Sequence, residues 1–136
     1  MTIFKDKLGL VTSKRIEILD ISSKVQEYID KSKIANGIIN IYSKHSTSAI
    51  VVNENEDGLL VDFENLLTNI VPENNNYKHD IIDNNADSHL RSLVLGASET
   101  IPFSNRRLAL GTWQSIFFIE LDGPRKRTVE ITVIGE

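Results

Sequence analysis

The chain contains no cysteine, which excludes disulfides, zinc-thiolate sites and cysteine nucleophiles together. Any bound metal must therefore be held by histidine and carboxylates. No apolar run approaches the ~20 residues that span a bilayer. The first residues, Met1-Thr2-Ile3-Phe4-Lys5-Asp6-Lys7, lack the apolar core and small-residue cleavage site of a secretory signal. A cytoplasmic location and no membrane partner are the resulting expectations. Excess positive charge is missing too. A formal net charge of -4 argues against nucleic-acid binding by the whole surface, since neutralising phosphates needs a net basic face. A local basic patch stays open.

With 136 residues, 40% of them hydrophobic and 25% charged, the chain matches one globular domain, residues 1–136, with one core. No linker, internal repeat or low-complexity tract divides it. Thr2 to Leu19 reads as one or two strands, and Arg15-Ile16-Glu17-Ile18-Leu19 has the period of a half-buried one. Ser22 or Ser23 is placed to cap a helix bearing Val25, Tyr28 and Ile29, with Gly37 turning the chain after it. Ile38 to Tyr42 and Ser48 to Val52 are β-branched runs flanking a polar turn.

Phe63, Leu66, Leu67 and Ile70 fall at helical spacing before Pro72, so a helix is expected from Asp62 to Ile70. A second helix is expected after Asp83 to Asn85, with Ala86, Leu90, Leu93 and Val94 as its apolar side and Gly96 ending it. On its neighbouring stripe, Asn85, His89 and Ser92 project together, a polar stripe that calls for a reason. Trp113 to Leu121 reads as a strand with Phe117 and Phe118 on opposite faces. In Thr128 to Ile134, Val129, Ile131 and Val133 alternate with polar residues. Asp122-Gly123-Pro124-Arg125 between them suggests an antiparallel hairpin. Strands at both ends with helices between them indicate an α+β fold.

Three histidines sit beside polar or small residues: His45 in Lys44-His45-Ser46-Thr47-Ser48, His79 in Tyr77-Lys78-His79-Asp80, and His89. Three neutral imidazoles can hold a divalent metal with one position open for substrate. Their spacing does not show that they converge, and surface or packing histidines are the plain alternative. Glu54, just past the apolar run ending at Val52, is placed to act as a general base or to hold Mg²⁺, or else belongs to a solvated acidic turn. Arg125 offers a planar fork for phosphate, with Ser46 and Thr47 as further donors; a solvated basic edge is the competing account. The lone Trp113 is suited to stacking on a heteroaromatic ring, or to a core or subunit contact.

Six strings occur here in one order: His45-Ser46-Thr47-Ser48-Ala49, Asn53-Glu54-Asn55-Glu56-Asp57, Tyr77-Lys78-His79, Asn85-Ala86-Asp87-Ser88-His89-Leu90, Leu108-Ala109-Leu110-Gly111-Thr112-Trp113-Gln114 and Asp122-Gly123-Pro124-Arg125. Together they resemble the YjbQ-like family, named for secondary thiamine-phosphate synthase activity, from about Thr2 to Gly135. The resemblance implies an α+β fold with a largely antiparallel β-sandwich or barrel-like core and a few helices. It also implies a homotrimer with polar pockets near the subunit boundaries and a histidine-held divalent metal, zinc or magnesium.

Carried onto this sequence, His79 and His89, with His45 third, are the implied metal ligands. Glu54, His45 and Asp122 become the catalytic candidates, and Ser46, Thr47, Trp113, Gln114 and Arg125 the substrate and phosphate contacts. The implied reaction joins hydroxymethylpyrimidine diphosphate to thiazole phosphate and releases pyrophosphate. A metal-dependent phosphohydrolase and a non-catalytic binding module for a phosphorylated metabolite are the alternatives. Where the family often has glycine before its Leu-x-Leu-Gly-Thr-Trp-Gln segment, this chain has Asn105-Arg106-Arg107, which would put a different side chain at the pocket rim.

Overall fold

The computed structural model describes residues 1–136. In chain order the elements are β1 (Thr2–Val11), β2 (Glu17–Asp20), α1 (Ser22–Ser32), β3 (Gly37–Ser43), β4 (Ser48–Asn53), α2 (Asp57–Ile70), a 3₁₀ turn (Lys78–Ile81), α3 (Ala86–Leu95), β5 (Ser98–Ser104), β6 (Arg107–Leu108), β7 (Ser115–Glu120) and β8 (Lys126–Gly135). They form two sheets of strand order β1-β8-β3-β5-β6 and β2-β7-β4, and every pairing is antiparallel. The α+β class and the sandwich-like core are as expected.

Period-two alternation puts Leu8 and Leu10 of β1, Ile39 and Ile41 of β3, and Val129, Ile131 and Val133 of β8 on the inner face of the larger sheet. Opposite them stand Ile50, Ile116 and Phe118 of the smaller sheet, with Val25 and Ile29 of α1 closing the same core. Phe117, Ile119 and Leu121 point the other way and meet Leu60, Phe63 and Leu67 of α2 and Leu95 of α3. Phe117 and Phe118 do face opposite sides. The molecule is therefore three layers, with α2 and α3 covering the outer face of the smaller sheet.

The expected β7–β8 hairpin does not form. β7 is the centre of the three-stranded sheet and pairs with β2 and β4, whereas β8 is inserted between β1 and β3. The connection that reads as a hairpin turn is a crossing from one sheet to the other. Gly123 makes the crossing possible. A Cβ there would lie 2.2 Å from the Lys14 carbonyl oxygen and 2.9 Å from Thr12 Oγ1, so the backbone passes where no side chain fits. The polar turn between β3 and β4 is likewise a crossing. The two crossings touch, since Leu121 N–H donates to the Thr47 carbonyl at 3.1 Å.

Two further expectations change. α2 begins at Asp57 rather than Asp62, because the Glu56 carboxylate caps it by accepting from the N–H groups of Gly58 and Leu59. Glu-Asp-Gly thus starts a helix instead of making a turn. α1 is capped at Ile21, with Asp20 Oδ1 accepting from Ser22 N–H at 2.9 Å, while Ser22 Oγ accepts from Ile116 N–H at 2.8 Å.

α3 departs from its expected faces in part: Ala86 is buried as expected and Leu90 half-buried, but the next turn is reversed. Leu93 and Val94 are 79% and 64% exposed, whereas Asp87, Ser88, Arg91 and Ser92 are buried. The reason is hydrogen bonding. Ser88 Oγ donates to the Leu121 carbonyl and Ser92 Oγ to the Ser48 carbonyl, each at 2.6 Å, so the helix satisfies strand-end oxygens that apolar residues would leave unpaired. Asp87 takes both ends of the Arg15 guanidinium at 2.8 and 3.0 Å, and Arg91 donates to the Val71 carbonyl at the end of α2. That accounts for Ser92 of the polar stripe.

At the crossings, the inner faces of β7 and β8 end in charge. Glu120 is wholly buried and pairs with Arg127, whose side chain is 4% exposed. Arg127 Nε donates to Glu120 Oε1 at 2.9 Å and its Nη2 to Thr47 Oγ1 at 2.9 Å. Thr12 Oγ1 donates to Glu120 Oε1 at 2.7 Å, and the N–H groups of Leu121 and Asp122 donate to Oε2 at 3.0 and 3.1 Å. Burial alone would raise the Glu120 pKa. The Arg127, Thr12 and Asp122 bonds outweigh it and hold the carboxyl below its ordinary value of 4.5. Because the folded pKa is depressed, this group's stabilisation is full above about pH 4.5 and lost as pH falls through the folded value.

Removing one partner of a buried pair leaves the other charge uncompensated. Glu120→Gln is expected to cost about 3–5 kcal/mol in urea unfolding at pH 7 and to flatten the loss of stability below pH 4.5. The paired change Glu120→Met with Arg127→Met should recover most of that cost. A single variant as stable as the parent would contradict this account.

The β5–β6 loop is a two-residue hairpin turn with Asn105 at φ 50° and Arg106 at φ 62°, a turn that favours Asn-Gly. Arg106 occupies the glycine position and carries left-handed strain. Its contacts run to α1 and the approach to β3, through Gln26 and Ala35, so the departure from the family pattern is a matter of turn geometry there. Arg106→Gly is expected to stabilise the fold by about 1 kcal/mol, read as a raised urea midpoint with unchanged slope.

Candidate functional site

The crossings bring three of the expected residues, joined by Asn85, into one hydrogen-bonded chain. His79, on the 3₁₀ turn, places Nε2 2.9 Å from Asn85 Oδ1. Asn85 Nδ2 donates to Asp122 Oδ2 at 2.9 Å. Arg125 Nη2 donates to the same Asp122 oxygen at 3.1 Å, while its Nε donates to the Asp122 carbonyl at 2.8 Å. Each link fixes the next. An ionised carboxylate only accepts, so the Asn85 amide must turn its nitrogen to Asp122 and its oxygen to His79. His79 Nε2 then carries the ring hydrogen, and Nδ1 keeps its lone pair for a metal or a proton.

His89, on α3, lies edge-on to His79 with ring centroids 4.8 Å apart. It also borders a cleft of about 440 Å³ shared with Lys44, His45, Ser46 and Ser92. The three histidines thus lie along one end of the molecule, with His89 linking the other two. His45 is engaged differently. Its Nε2 accepts from Thr128 N–H at 3.1 Å, which leaves Nδ1 as an N–H donor, so in this arrangement His45 offers a hydrogen rather than a lone pair. Burial, followed by the nearby Arg127 charge, lowers its pKa below the ordinary 6.5, favouring the neutral ring at pH 7.

Thr47 is buried with its hydroxyl on Arg127, which gives it a structural tie rather than a free phosphate donor. Ser46 is exposed at the cleft. Half of the Arg125 side chain surface is exposed, leaving part of its fork open.

Glu54, Trp113 and Gln114 do not join this group. Asn53 pairs with Ser115 and Ser48 with Glu120, so Glu54 and the Trp113 turn sit beyond one end of the β4–β7 ladder and the histidine cluster at the other, about 17 Å away along the strand. Trp113 is 73% exposed, on a turn closed by Gln114 Oε1 accepting from Gly111 N–H at 2.8 Å. Glu54 borders a separate apolar cavity under α2.

Asn85, Glu120 and Arg127 are the residues that motif reading passes over as functional. Extending the β7 and β8 alternation by one step puts Glu120 and Arg127 on inward faces, a signal open to detection as a charge on an apolar stripe. Asn85 carried no such signal beyond its place on the polar stripe.

Nδ1 of His79 is free while its other nitrogen is held by an amide oxygen, the outer support that ligating imidazoles need. No three His, Asp or Glu side chains of the chain converge as a metal-binding set.

A two-sheet α+β domain with crossing loops that carry an oriented histidine, a carboxylate and an arginine defines the class. The chain belongs to the UPF0047 YjbQ-like family, whose model, described as "UPF0047 protein YjbQ-like", matches residues 6–136. A UPF0047 protein of Methanothermobacter thermautotrophicus is 52% identical over all of this chain and 95% of its own length. The UPF0047 protein YugU of Bacillus subtilis is 36% identical over 94% of this chain and 97% of its own. Among solved structures, a YbjQ-like protein of unknown function from Sulfolobus solfataricus is 39% identical with a TM-score of 0.96, covering 99% of each chain. A hypothetical protein from Aeropyrum pernix is 37% identical with a TM-score of 0.94, over 98% of this chain and 99% of that one.

The orientation of His79 is directly testable. Nitrogen NMR of the imidazoles near pH 8 is expected to show His79 predominantly as the Nε2–H tautomer. Asn85→Leu should let the two tautomers mix. A His79 spectrum that is the same in both proteins would break the proposed chain of hydrogen bonds.

Proposed function

We propose that the protein works on a phosphorylated small molecule at the histidine end, with a divalent metal on His79 and His89, and that its reaction is thiamine-phosphate synthesis. The observation that carries this reading is the Asp122–Asn85–His79 chain, which keeps a lone pair on Nδ1 of His79, a ring that lies edge-on to His89. Imidazole donors favour zinc over magnesium. When bound, the metal would supply positive charge to a phosphate or diphosphate oxygen.

The chain's own residues do the rest. Arg125 takes phosphate oxygens with the part of its fork not used by Asp122. His45 donates from Nδ1 and Ser46 from its hydroxyl at the cleft wall. Asp122, held by the Glu120 carboxylate through its own N–H, keeps Asn85 and hence His79 aligned. Condensing hydroxymethylpyrimidine diphosphate with thiazole phosphate breaks the bond from the pyrimidine methylene carbon to the diphosphate oxygen and forms a bond from that carbon to the thiazole nitrogen. Pyrophosphate leaves, and donors that match its developing charge favour the step.

At this end of a single chain Tyr42 is the one aromatic lining residue of the cleft besides the histidines, so a larger aromatic wall for the pyrimidine has to come from elsewhere, and Trp113 stands exposed at the far end. Assembly as a homotrimer, in which the Trp113 and Gln114 turn of one copy faces the histidine end of the next, would supply it. Light scattering tests the assembly.

With both precursors and Zn²⁺ or Mg²⁺, thiamine phosphate and pyrophosphate are expected to accumulate together, and His79→Ala to lower the rate by at least about 100-fold. Release of inorganic phosphate without thiamine phosphate would replace the synthase reading with a phosphohydrolase. Binding without turnover would make the protein a binding module.

A further inference from the structure

The apolar cavity beneath α2 lies at the opposite end of β4 from the histidines and stands independently of the reading above. It encloses about 270 Å³ between the helix and the outer face of the smaller sheet. Leu59, Leu60 and Phe63 line it from α2, Val51 and Phe117 from the strands, and Asn53 and Glu54 are its only polar lining residues. The space exists because the helix is held off the sheet. Of its apolar residues only Leu67 is fully buried, and its two ends are fixed elsewhere, by the Glu56 cap at one end and by Arg91 on the Val71 carbonyl at the other. An apolar cavity of roughly 150 Å³ takes benzene, so this one has room for a bicyclic ring.

Charge selects the kind of molecule. Glu54 is partly buried at the rim; its backbone N–H is satisfied by Asn53 Oδ1 at 2.8 Å, and its carboxylate enters none of the fold's ion pairs, which run from Met1–Glu136 to Arg127–Glu120 without it. No lysine or arginine lines the cavity or lies on α2, whose charged residues Asp57, Asp62 and Glu64 are all acidic. A carboxylate ligand would meet only repulsion there. An ammonium group would meet an unpaired acceptor.

We propose that this cavity is a binding site for a small apolar amine, its ring between α2 and the sheet and its ammonium group on the Glu54 carboxylate. The surrounding helix and strands are otherwise satisfied, so binding needs no rearrangement beyond entry at the rim.

Tryptamine, indole and indole-3-propionate are suitable probes, titrated calorimetrically into the full chain at pH 7 with leucine methyl NMR in parallel. Tryptamine is expected to bind about tenfold or more tighter than indole, the worth of one charge-assisted hydrogen bond, and indole-3-propionate weakest of the three. Methyl shifts should centre on Leu59 and Leu60. Glu54→Gln should bring tryptamine and indole within about twofold of each other, and Leu60→Trp, which fills the space, should abolish both. Val51→Phe fills it from the sheet side should Leu60→Trp fail to fold. Equal affinity for tryptamine and indole-3-propionate, no response to the filling variants, or loss of binding on Trp113→Ala would each overturn the proposal, the last by placing the ring on the exposed tryptophan instead.

Discussion

The buried pairing of Glu120 with Arg127 sets the conditions for the rest of the molecule. These two residues end the inner faces of β7 and β8, which belong to different sheets, so the bond between them clamps the sandwich at one end. Neither charge tolerates solitude in that core. The carboxylate therefore gathers every donor within reach: the Thr12 hydroxyl, the guanidinium, and two backbone N–H groups of the chain leaving β7. The guanidinium in turn grips Thr47 in the other crossing. A pair that joins sheets thereby shapes two loops.

Those loops carry the chemistry. Asp122 follows Glu120 by two residues and is fixed by it, and Asp122 fixes Asn85, which fixes the tautomer of His79. Thr128 follows Arg127 and fixes the opposite tautomer of His45. Two imidazoles a few residues from one ion pair are thus set to opposite tasks, one accepting and one donating. The α3 serines hold the third histidine in place by tying their helix to Ser48 and Leu121.

Much of this was legible one strand at a time and little of it between strands. Alternation in Thr128 to Ile134 and the opposite faces of Phe117 and Phe118 follow from a period of two that every sheet obeys. Which sheet a strand joins does not. Consecutive strands usually pair, and β7 and β8 depart from that habit because Gly123 lets the chain cut across the sandwich, a close approach visible only once Thr12 and Lys14 are beside it. The site divides for the same reason. His79, His89, Asp122 and Arg125 meet because the crossings share an end, whereas Glu54 and Trp113 are carried to the far end by the lengths of β4 and β7. Motif order gives no hint of that distance, since it preserves sequence neighbours and discards direction. Glu56 was missed as a cap because glutamate is an uncommon one, and the outer turn of α3, at Leu93 and Val94, was read inside out because the helix's hydroxyls answer carbonyls that belong to distant strands.

The partly inverted α3 reverses, within one chain, the usual relation between hydropathy and constraint. Its serines are the residues with fixed partners, and its Leu93 and Val94 have none. A leucine on that surface is replaceable by any good helix former without disturbing the interior, while the serine next to Leu93 is pinned by the one carbonyl it serves. At the outer turn of this helix, polarity marks what the fold cannot vary, and the greasy pair at 93 and 94 marks where the sequence is at liberty to drift.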